Sequence, residues 1–400
     1  MQTTNRWGRA LLRYLGSRRW TSAWGWVFGL LASGCAEKDA SRSSSSSGND
    51  TREEIVAPAA GDRAAAKPFF EQAAGLMSRP GNEAEILQDL DRALELDPQF
   101  VEARMLRSQM RSRQGPLFDP IGALEDVRKA SRLRPEEPGI VIAEATLSFQ
   151  MGNSSRAREL AQQYLVIGQG AGSDSMLGSA HSILGELYLR EGKLDPAQQH
   201  LSAALAFLPQ SAEVLLGLAK VKEERGDFEG ALRHLDEARK NQPGFLSARW
   251  ARLRVLRRLG RAEQAEKEQE VCELLRRLTD STATEFARDY ALQGDLWGQL
   301  AGIEPVLEFC LKEARARYLC KDYGAVVELC SRAIGNHPRS FDLWYLLAVA
   351  EMARGNAAEA RVVLDQVRAL VPPLPKEALQ ALERDLKRIE SEAARAGRRG

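Results

Sequence analysis

The stretch GSAHSILGELYLREGKLDPAQQHLSAALAFLPQS, residues 178–211, is followed without a gap by AEVLLGLAKVKEERGDFEGALRHLDEARKNQPGF, residues 212–245. The two segments have the same length, and the residues at equivalent positions match: Leu184 and Leu218, Gly192 and Gly226, Ala197 and Ala231, Leu201 and Leu235, Pro209 and Pro243. Large apolar residues recur at three- and four-residue steps, which predicts amphipathic helices. Each segment is therefore predicted to be one helix–turn–helix unit.

The small residues, the glycine and the proline of each unit predict how its helices pack. Small side chains at Gly185 and Ala197 would let the two helices of one unit approach closely, and Ala204 would do the same toward the next unit. Gly192 can take the positive φ that ends a first helix, and Pro209 stops the second helix. Because one such pair cannot bury its own apolar face, the units are predicted to stack.

This pattern resembles the tetratricopeptide repeat, a 34-residue helix–turn–helix unit. Repeat starts are predicted near residues 67, 101, 138, 178, 212, 246, 280, 307 and 341. The resemblance implies an all-α, right-handed superhelical solenoid of about eight or nine units over residues 64–372, with a capping helix and a basic tail over residues 373–400. The array is degenerate near residues 272–306, where Gly294-Asp295 is predicted to be a turn and Pro305 to shorten the second helix.

Residues 1–34 have the composition of a signal peptide. Five arginines and no acidic residue precede Cys35, and the apolar run from Trp20 to Gly34 is shorter than the about 20 residues that span a bilayer. The ending Leu31-Ala32-Ser33-Gly34-Cys35 resembles the bacterial lipobox, which implies lipid attachment at Cys35. An ordinary secretory signal, a mitochondrial transit peptide and a twin-arginine signal are the alternatives. Residues 35–63 are predicted to be the lipidated cysteine and a disordered tether.

Charge and motifs limit the classes of function. The formal net charge is +1, but the chain after residue 35 holds 51 basic and 55 acidic residues, which argues against bulk nucleic-acid binding. No catalytic or phosphate-binding motif occurs, so neither an enzyme nor a cofactor is predicted. His200 and His234 occupy the same position in adjacent repeats, about 10 Å apart in stacked helices, which is too far to share a metal ion.

The remaining cysteines are Cys272, Cys310, Cys320 and Cys330. Cys272 takes the place of a small core alanine and is predicted to be buried. Cys310 and Cys330 fall at inward positions of the two helices of one repeat. In an exported protein they could form a disulfide, although small core residues would explain them equally well.

The resemblance also implies that the first helices of the repeats line a concave groove. Its predicted partner-binding residues are Lys220, Glu224, Trp250, Arg254, Arg257 and Arg258, with Glu186, Leu189, Arg190 and Glu223 beside them. Residues 246–260 also carry Arg249 and Arg252, so this helix combines five arginines with an aromatic residue. Such a strip could bind an acidic peptide or a C-terminal carboxylate, or it could be a solvated helix face.

The leading functional prediction is a lipid-anchored scaffold that binds other proteins or extended peptides in the bacterial cell envelope. In the lipoproteins that the lipobox-like ending resembles, Asp after the cysteine retains the protein at the inner membrane. The resemblance therefore implies the outer membrane, facing the periplasm, because residue 36 is Ala. A second prediction is an accessory or regulatory subunit of an envelope enzyme or assembly machine. A third is a cytoplasmic nucleic-acid binder, which requires that residues 1–34 are not an export signal.

Overall fold

The computed structural model describes residues 61–77, 82–113, 117–168, 173–283, 290–369, 380 and 382–388. Every regular element in these ranges is an α-helix. The helices belong to two compact units that divide between Asp227 and Phe228. In each unit, consecutive helices follow short connections and pack against each other, which is the arrangement of stacked helical repeats.

The first unit contains nine of the described helices. In chain order they are α1 (Arg63–Leu76), α2 (Glu83–Leu96), α3 (Val101–Arg111), α4 (Pro120–Leu133), α5 (Pro138–Gln150), α6 (Ser154–Ile167), α7 (Asp174–Arg190), α8 (Leu194–Phe207) and α9 (Ala212–Glu224). The second unit contains α10 (Phe228–Asn241), α11 (Leu246–Arg258), α12 (Ala262–Ala283), α13 (Tyr290–Ile303), α14 (Leu307–Leu319), α15 (Tyr323–Asn336), α16 (Phe341–Arg354) and α17 (Ala357–Ala369).

Six of the predicted repeat starts coincide with the first residue of a helix. Helices α3, α5, α9, α11, α14 and α16 begin at residues 101, 138, 212, 246, 307 and 341. Two helices begin about one turn earlier than predicted. Helix α1 starts at Arg63 because the Asp62 side chain caps it, and α7 starts at Asp174 because Ser173 accepts a hydrogen bond from the Met176 amide.

The turns inside the repeats use a left-handed residue after the first helix. Gly192 has φ of 71° and Gly226 has φ of 78°, so the predicted positive φ at Gly192 is confirmed. Lys321 takes the same conformation, with φ of 65°, in the turn between α14 and α15. A lysine there carries a modest backbone strain that glycine would avoid.

Small residues allow the close helix packing that the repeat pattern predicts. A Cβ atom on Gly185 would lie 2.6 Å from Cγ of Leu201, and Leu201 is itself fully buried. Ala197 and Ala204 are also fully buried, in a cluster with Val214 and Leu218 of the following repeat. The apolar faces of α8 and α9 are therefore covered by neighbouring repeats.

The degenerate segment folds differently from the prediction. Gly294 and Asp295 lie inside α13, so the predicted turn at this position is wrong. A Cβ atom on Gly294 would be 3.3 Å from Cγ of Arg317, which shows that this glycine permits α13 to pack closely on α14. Helix α13 thus joins α14 through a three-residue link, as an extra helix between two regular repeats.

The end of the described chain covers α16 and α17. Residues 382–388 are helical, and Leu382 and Leu386 are buried. Arg368 of α17 donates a hydrogen bond to Glu383 over 2.7 Å. The rest of the predicted capping helix and the basic tail lie outside the described residues, as do the signal peptide, Cys35 and most of the tether. No helix of the described ranges is long and apolar enough to cross a bilayer.

Candidate interaction surface

Helix α11 carries most of the predicted groove residues. Its inward side is mainly apolar: Ala248, Ala251, Leu253, Val255 and Leu256 are buried, together with Arg249. One face of the helix carries Trp250, Arg254, Arg257 and Arg258, which are separated by four, three and one residues. All four are exposed, and Trp250 keeps 41% of its surface accessible. The structure therefore presents an aromatic ring and three guanidinium groups side by side on a rigid helix.

Some of these cations also have partners inside the protein. Arg257 donates a hydrogen bond to Oε1 of Gln269 in α12 over 2.6 Å. Arg254 is likewise engaged in an interaction of its own. Hydrogen bonds from an exposed arginine to neighbouring side chains are weak in water, and such an arginine retains donors for a ligand.

Arg249, the first arginine of α11, is not part of that face. Its side chain is only 1% exposed. Nε donates to the Pro243 carbonyl over 2.9 Å, Nη1 approaches Oε1 of Glu268 at 3.2 Å, and Nη2 lies 2.7 Å from Oε2 of Glu304. One guanidinium group thus joins the preceding turn, α12 and the end of α13.

Arg252 extends the same ion-pair cluster. Its Nε donates to Asp236 of α10 over 2.7 Å, and its Nη1 donates to Glu268 over 2.5 Å. Arg239 of α10 donates to Glu304 over 3.1 Å. The Arg249 cluster, defined as Asp236, Arg239, Arg249, Arg252, Glu268 and Glu304, pairs three cations with three carboxylates. The inclusion of Arg249 and Arg252 in an Arg-rich binding strip was therefore wrong, because both donate to buried acids.

The titration of Glu304 agrees with this arrangement. Burial by itself raises the pKa of the Glu304 carboxyl, but the hydrogen bonds and positive charges of Arg249 and Arg239 outweigh it, and the net shift is downward. The pKa of Arg249 is raised, because Glu304 and Glu268 outweigh the effect of burial. Both groups are ionised at neutral pH, so the cluster is a true ion-pair network.

The first unit holds the other predicted groove residues on α9. Lys220 is partly exposed and lies 3.4 Å from Oε2 of Glu186, which occupies the same position one repeat earlier. Glu224 is exposed at the end of the helix. The pair of Lys220 and Glu186 is neutral, and Glu224 adds a negative charge to this part of the surface. This part of the surface therefore has no excess of positive charge, unlike the exposed face of α11.

The buried cysteines are thiols in this structure. Cys310 and Cys330 are both free and buried, so the disulfide that the sequence allowed is not formed. Burial raises the pKa of Cys330 to about 12, and it also raises the pKa of Cys310. Cys272 is fully buried, as predicted, and burial raises its pKa to about 12. Protonated, apolar thiols of this kind act as small core residues.

The structure also shows a histidine pair that sequence reasoning missed. Nδ1 of His181 in α7 lies 3.0 Å from Nδ1 of His200 in α8, so one ring donates a hydrogen bond and the other accepts it. Tyr188 stacks on His200 and Phe207 stacks on His181. The sequence comparison paired equivalent positions of adjacent repeats, whereas this contact joins the two helices of one repeat. Within the described ranges, no group of three or more potential ligands could hold a metal ion.

The pair makes the first unit sensitive to acid. Burial lowers the pKa of both histidines from 6.5, and for His181 the neighbouring His200 lowers it further. The unfolded chain then binds more protons than the folded one, so stability is lost as pH falls below about 6.5. We expect the melting temperature to fall more steeply from about pH 7.5 to about pH 5.5 in the wild type than in the His181→Gln, His200→Gln variant. Equal slopes in calorimetry would contradict this.

Comparison with known proteins identifies the repeat. A family model described as tetratricopeptide repeat matches residues 188–256 and 321–386. These segments are tetratricopeptide repeats. The first match includes α8 to α10 and most of α11, and the second extends from the turn before α15 to the helical residues after α17. No curated protein sequence matches the chain.

Several solved structures resemble this fold at low sequence identity. The type IV pilus biogenesis factor PilW matches with a TM-score of 0.44 and 16% identity, over 55% of this chain and 93% of that one. PilF of Pseudomonas aeruginosa matches with a TM-score of 0.42 and 16% identity, over 51% and 89%. The human IFIT1 dimer with m7Gppp-AAAA matches with a TM-score of 0.41 and 16% identity, over 77% and 72%.

Proposed function

We propose that this protein is a tetratricopeptide-repeat scaffold that binds protein partners in a bacterial cell envelope. Repeats of this kind commonly bind other proteins or extended peptides through the first helices of each pair. The exposed face of α11 is the observation that carries the proposal. It combines Trp250 with Arg254, Arg257 and Arg258. The other two arginines of the helix, Arg249 and Arg252, form ion pairs in the Arg249 cluster.

The chemistry of that face favours an acidic partner. A guanidinium group binds a carboxylate with two parallel hydrogen bonds, and the neighbouring indole ring offers apolar area at little cost in conformational entropy. Because Arg249 and Arg252 fix the back of α11 through their buried ion pairs, the exposed side chains project from a helix that does not need to rearrange. We therefore propose that an acidic peptide segment of a partner protein lies against α11.

The test is capture of partners from detergent-solubilised membranes, followed by mass spectrometry. We expect the Arg257→Glu, Arg258→Glu variant to retain about tenfold less of an acidic partner than the wild type, because rim charges govern encounter and register. The matched control is Arg233→Glu with Lys240→Glu, which makes the same change in net charge on exposed positions of α10. If every partner remains bound to the α11 variant, the proposed surface is wrong.

The proposed location is tested separately, because it depends on the lipobox-like sequence and not on the repeats. We propose that lipid on Cys35 holds the chain at a membrane, with the acid-rich segment before Arg63 as the tether. Cys35→Ala should move the protein from the membrane fraction to the soluble fraction of the cells that make it. A wild-type product that is already soluble and unprocessed would contradict the anchor and would favour the cytoplasmic alternative.

A further inference from the structure

A second surface, on the outer side of α4, combines exposed apolar and cationic side chains. Three exposed apolar side chains lie at its beginning: Leu117 (40% accessible) and Phe118 (51%) in the turn before the helix, and Ile121 (63%) in its first turn. Arg128, Lys129 and Arg132 are exposed further along it. We call these six residues the α4 outer face. Large apolar residues scattered singly over a surface are ordinary, but three within five positions form a patch.

The helix geometry places most of these side chains along one line. Ile121, Arg128 and Arg132 recur at the seven- and four-residue steps that align side chains on a helix, and Lys129 is beside them. The opposite side of α4 is core, where Ala123, Val127 and Ala130 are fully buried. Asp119 caps the helix by accepting a hydrogen bond from the Gly122 amide. The helical residues of the α4 outer face therefore project from a helix whose other side is packed in the core.

The cations of this face have no partner among the described residues, whereas those of the adjacent helix do. Arg128, Lys129 and Arg132 make no ion pair or hydrogen bond there. On α3, by contrast, Arg107 and Arg111 both donate to the buried Asp126. Glu125 is on the same line of α4 and the capping residue Asp119 is half exposed beside the apolar side chains, so three cations stand against two acids. Unpaired cations on an exposed face attract an anionic surface.

We propose that the α4 outer face lies against an anionic phospholipid membrane. The apolar side chains at the start of α4 enter the boundary between headgroups and acyl chains, and the three cations contact the headgroups. This combination of an apolar patch with neighbouring cations is what interfacial segments use to bind membranes. A protein partner of similar area would require apolar residues at the centre of the contact. Here three exposed apolar residues lie at one end, Leu133 lies at the other, and the cations are between them.

The contact is small, so it suits a protein that another anchor already holds near the membrane. In that respect the inference rests on the proposed membrane location. The two can still be tested apart, because Cys35→Ala fractionation reports the anchor in cells, whereas purified protein with lipid vesicles reports the α4 outer face. A negative result in either experiment therefore does not affect the interpretation of the other.

The experiment uses the full chain with the photo-crosslinker benzoylphenylalanine at residue 118. The vesicles contain phosphatidylcholine, either alone or mixed with phosphatidylglycerol. We expect lipid adducts at residue 118 with the anionic vesicles and far fewer with the neutral ones. A crosslinker at residue 362 is the matched control, because Val362 is also an exposed apolar side chain, at 58%, but belongs to the second unit. Equal lipid adducts at both positions would overturn the proposal.

Charge reversal tests the cationic half of the surface. Arg128→Glu, Lys129→Glu and Arg132→Glu together should lower lipid adducts at residue 118 by about tenfold, since each cation contributes to attraction by anionic lipid. If that variant fails to fold in circular dichroism, Phe118→Glu with Ile121→Glu tests the apolar half through co-sedimentation with the same vesicles. Undiminished lipid adducts at residue 118 in the charge-reversed variant would overturn the inference. So would crosslinking in cell membranes that gives adducts to a protein and none to lipid.

Discussion

Replacing Arg249 by alanine is expected to lower the free energy of unfolding of the second unit by about 3–5 kcal/mol, the usual cost of removing one partner from a buried ion pair. Arg249 is 1% exposed and Glu268 is 2% exposed, so neither charge can be compensated by water. The variant would leave Glu268 with Arg252 alone and would remove both hydrogen bonds from Arg249 to Glu304. It would also leave the Pro243 carbonyl without its side-chain donor.

The same change is expected to loosen α13. Glu304 follows the last residue of α13, and Arg249 is its partner at 2.7 Å from α11. Arg239 would remain as the other donor to Glu304, at 3.1 Å. Since α13 is inserted between two regular repeats, it lacks the repeat pattern that holds the other helices. We therefore expect hydrogen exchange in α13 to accelerate before exchange in α16 does.

Tryptophan fluorescence suits the measurement. Trp250, Trp297 and Trp344 all belong to the second unit, and the chain has no other tryptophan after residue 26. In a chain that starts at residue 36, and so lacks the four tryptophans of residues 1–26, urea unfolding followed by fluorescence therefore reports that unit. Arg258→Ala, on the exposed side of the same helix, should change the free energy by no more than about 0.5 kcal/mol. A loss of less than about 1 kcal/mol for Arg249→Ala would contradict the structural role given to the cluster.

A second variant separates charge from shape. Arg249→Lys keeps the positive charge but loses the planar fork that contacts three groups at once, so it should recover only part of the loss. Arg249→Met with Glu268→Leu removes the buried pair and fills the space with apolar side chains. This double change should be closer to the wild type than Arg249→Ala, because apolar replacements of buried ion pairs are often neutral.

The repeat boundaries could be predicted because they depend on local residues. A glycine such as Gly192 predicts a positive φ at its own position, and a small residue such as Ala204 predicts a close helix contact. The Arg249 cluster could not be found in this way. Its acceptor Glu304 is 55 residues away in sequence and lies beyond an inserted helix that breaks the repeat period. The turn predicted at Gly294 was wrong for a related reason. In a sequence, a glycine that permits close helix packing cannot be distinguished from a glycine that ends a helix.

Structural comparison of the repeats shows a feature that the sequence alone concealed. Arg104, Arg249 and Trp344 each donate a hydrogen bond to the carbonyl of the proline six residues earlier. A second arginine follows each of the two arginines by three residues. Arg107 follows Arg104 and donates to Asp91, and Arg252 follows Arg249 and donates to Asp236; each aspartate is sixteen residues earlier in the sequence. The same two-arginine arrangement therefore occurs once in each unit. Arg252 is only 12% exposed, and its guanidinium group is accommodated there because Asp236 and Glu268 accept its hydrogen bonds.

The arrangement in the first unit centres on Asp126, which is 1% exposed. Nε of Arg107 lies 2.8 Å from Oδ2 of Asp126, Nη1 of Arg111 lies 3.0 Å from the same oxygen, and Nη1 of Arg104 lies 3.6 Å from Oδ1. One carboxylate thus neutralises part of three guanidinium charges. The pKa of Arg104 is lowered, because burial outweighs the attraction of Asp126 and Asp97. Without Asp126, the three cations would repel one another at the α3–α4 contact.

We therefore expect Asp126→Ala to destabilise the first unit by about 3–5 kcal/mol, comparable to the loss of Arg249 in the second. Asp126→Asn should be intermediate, because an amide keeps one acceptor oxygen but no charge. Asp91→Asn is the matched control: Asp91 also pairs with Arg107, at 2.7 Å, but its side chain is 50% exposed, so its loss should cost about 1 kcal/mol at most. Hydrogen exchange of α3 and α4 is the measurement, since tryptophan fluorescence reports the other unit. Unchanged exchange in Asp126→Ala would show that the arginines find water or other partners, and that Asp126 does not hold these helices together.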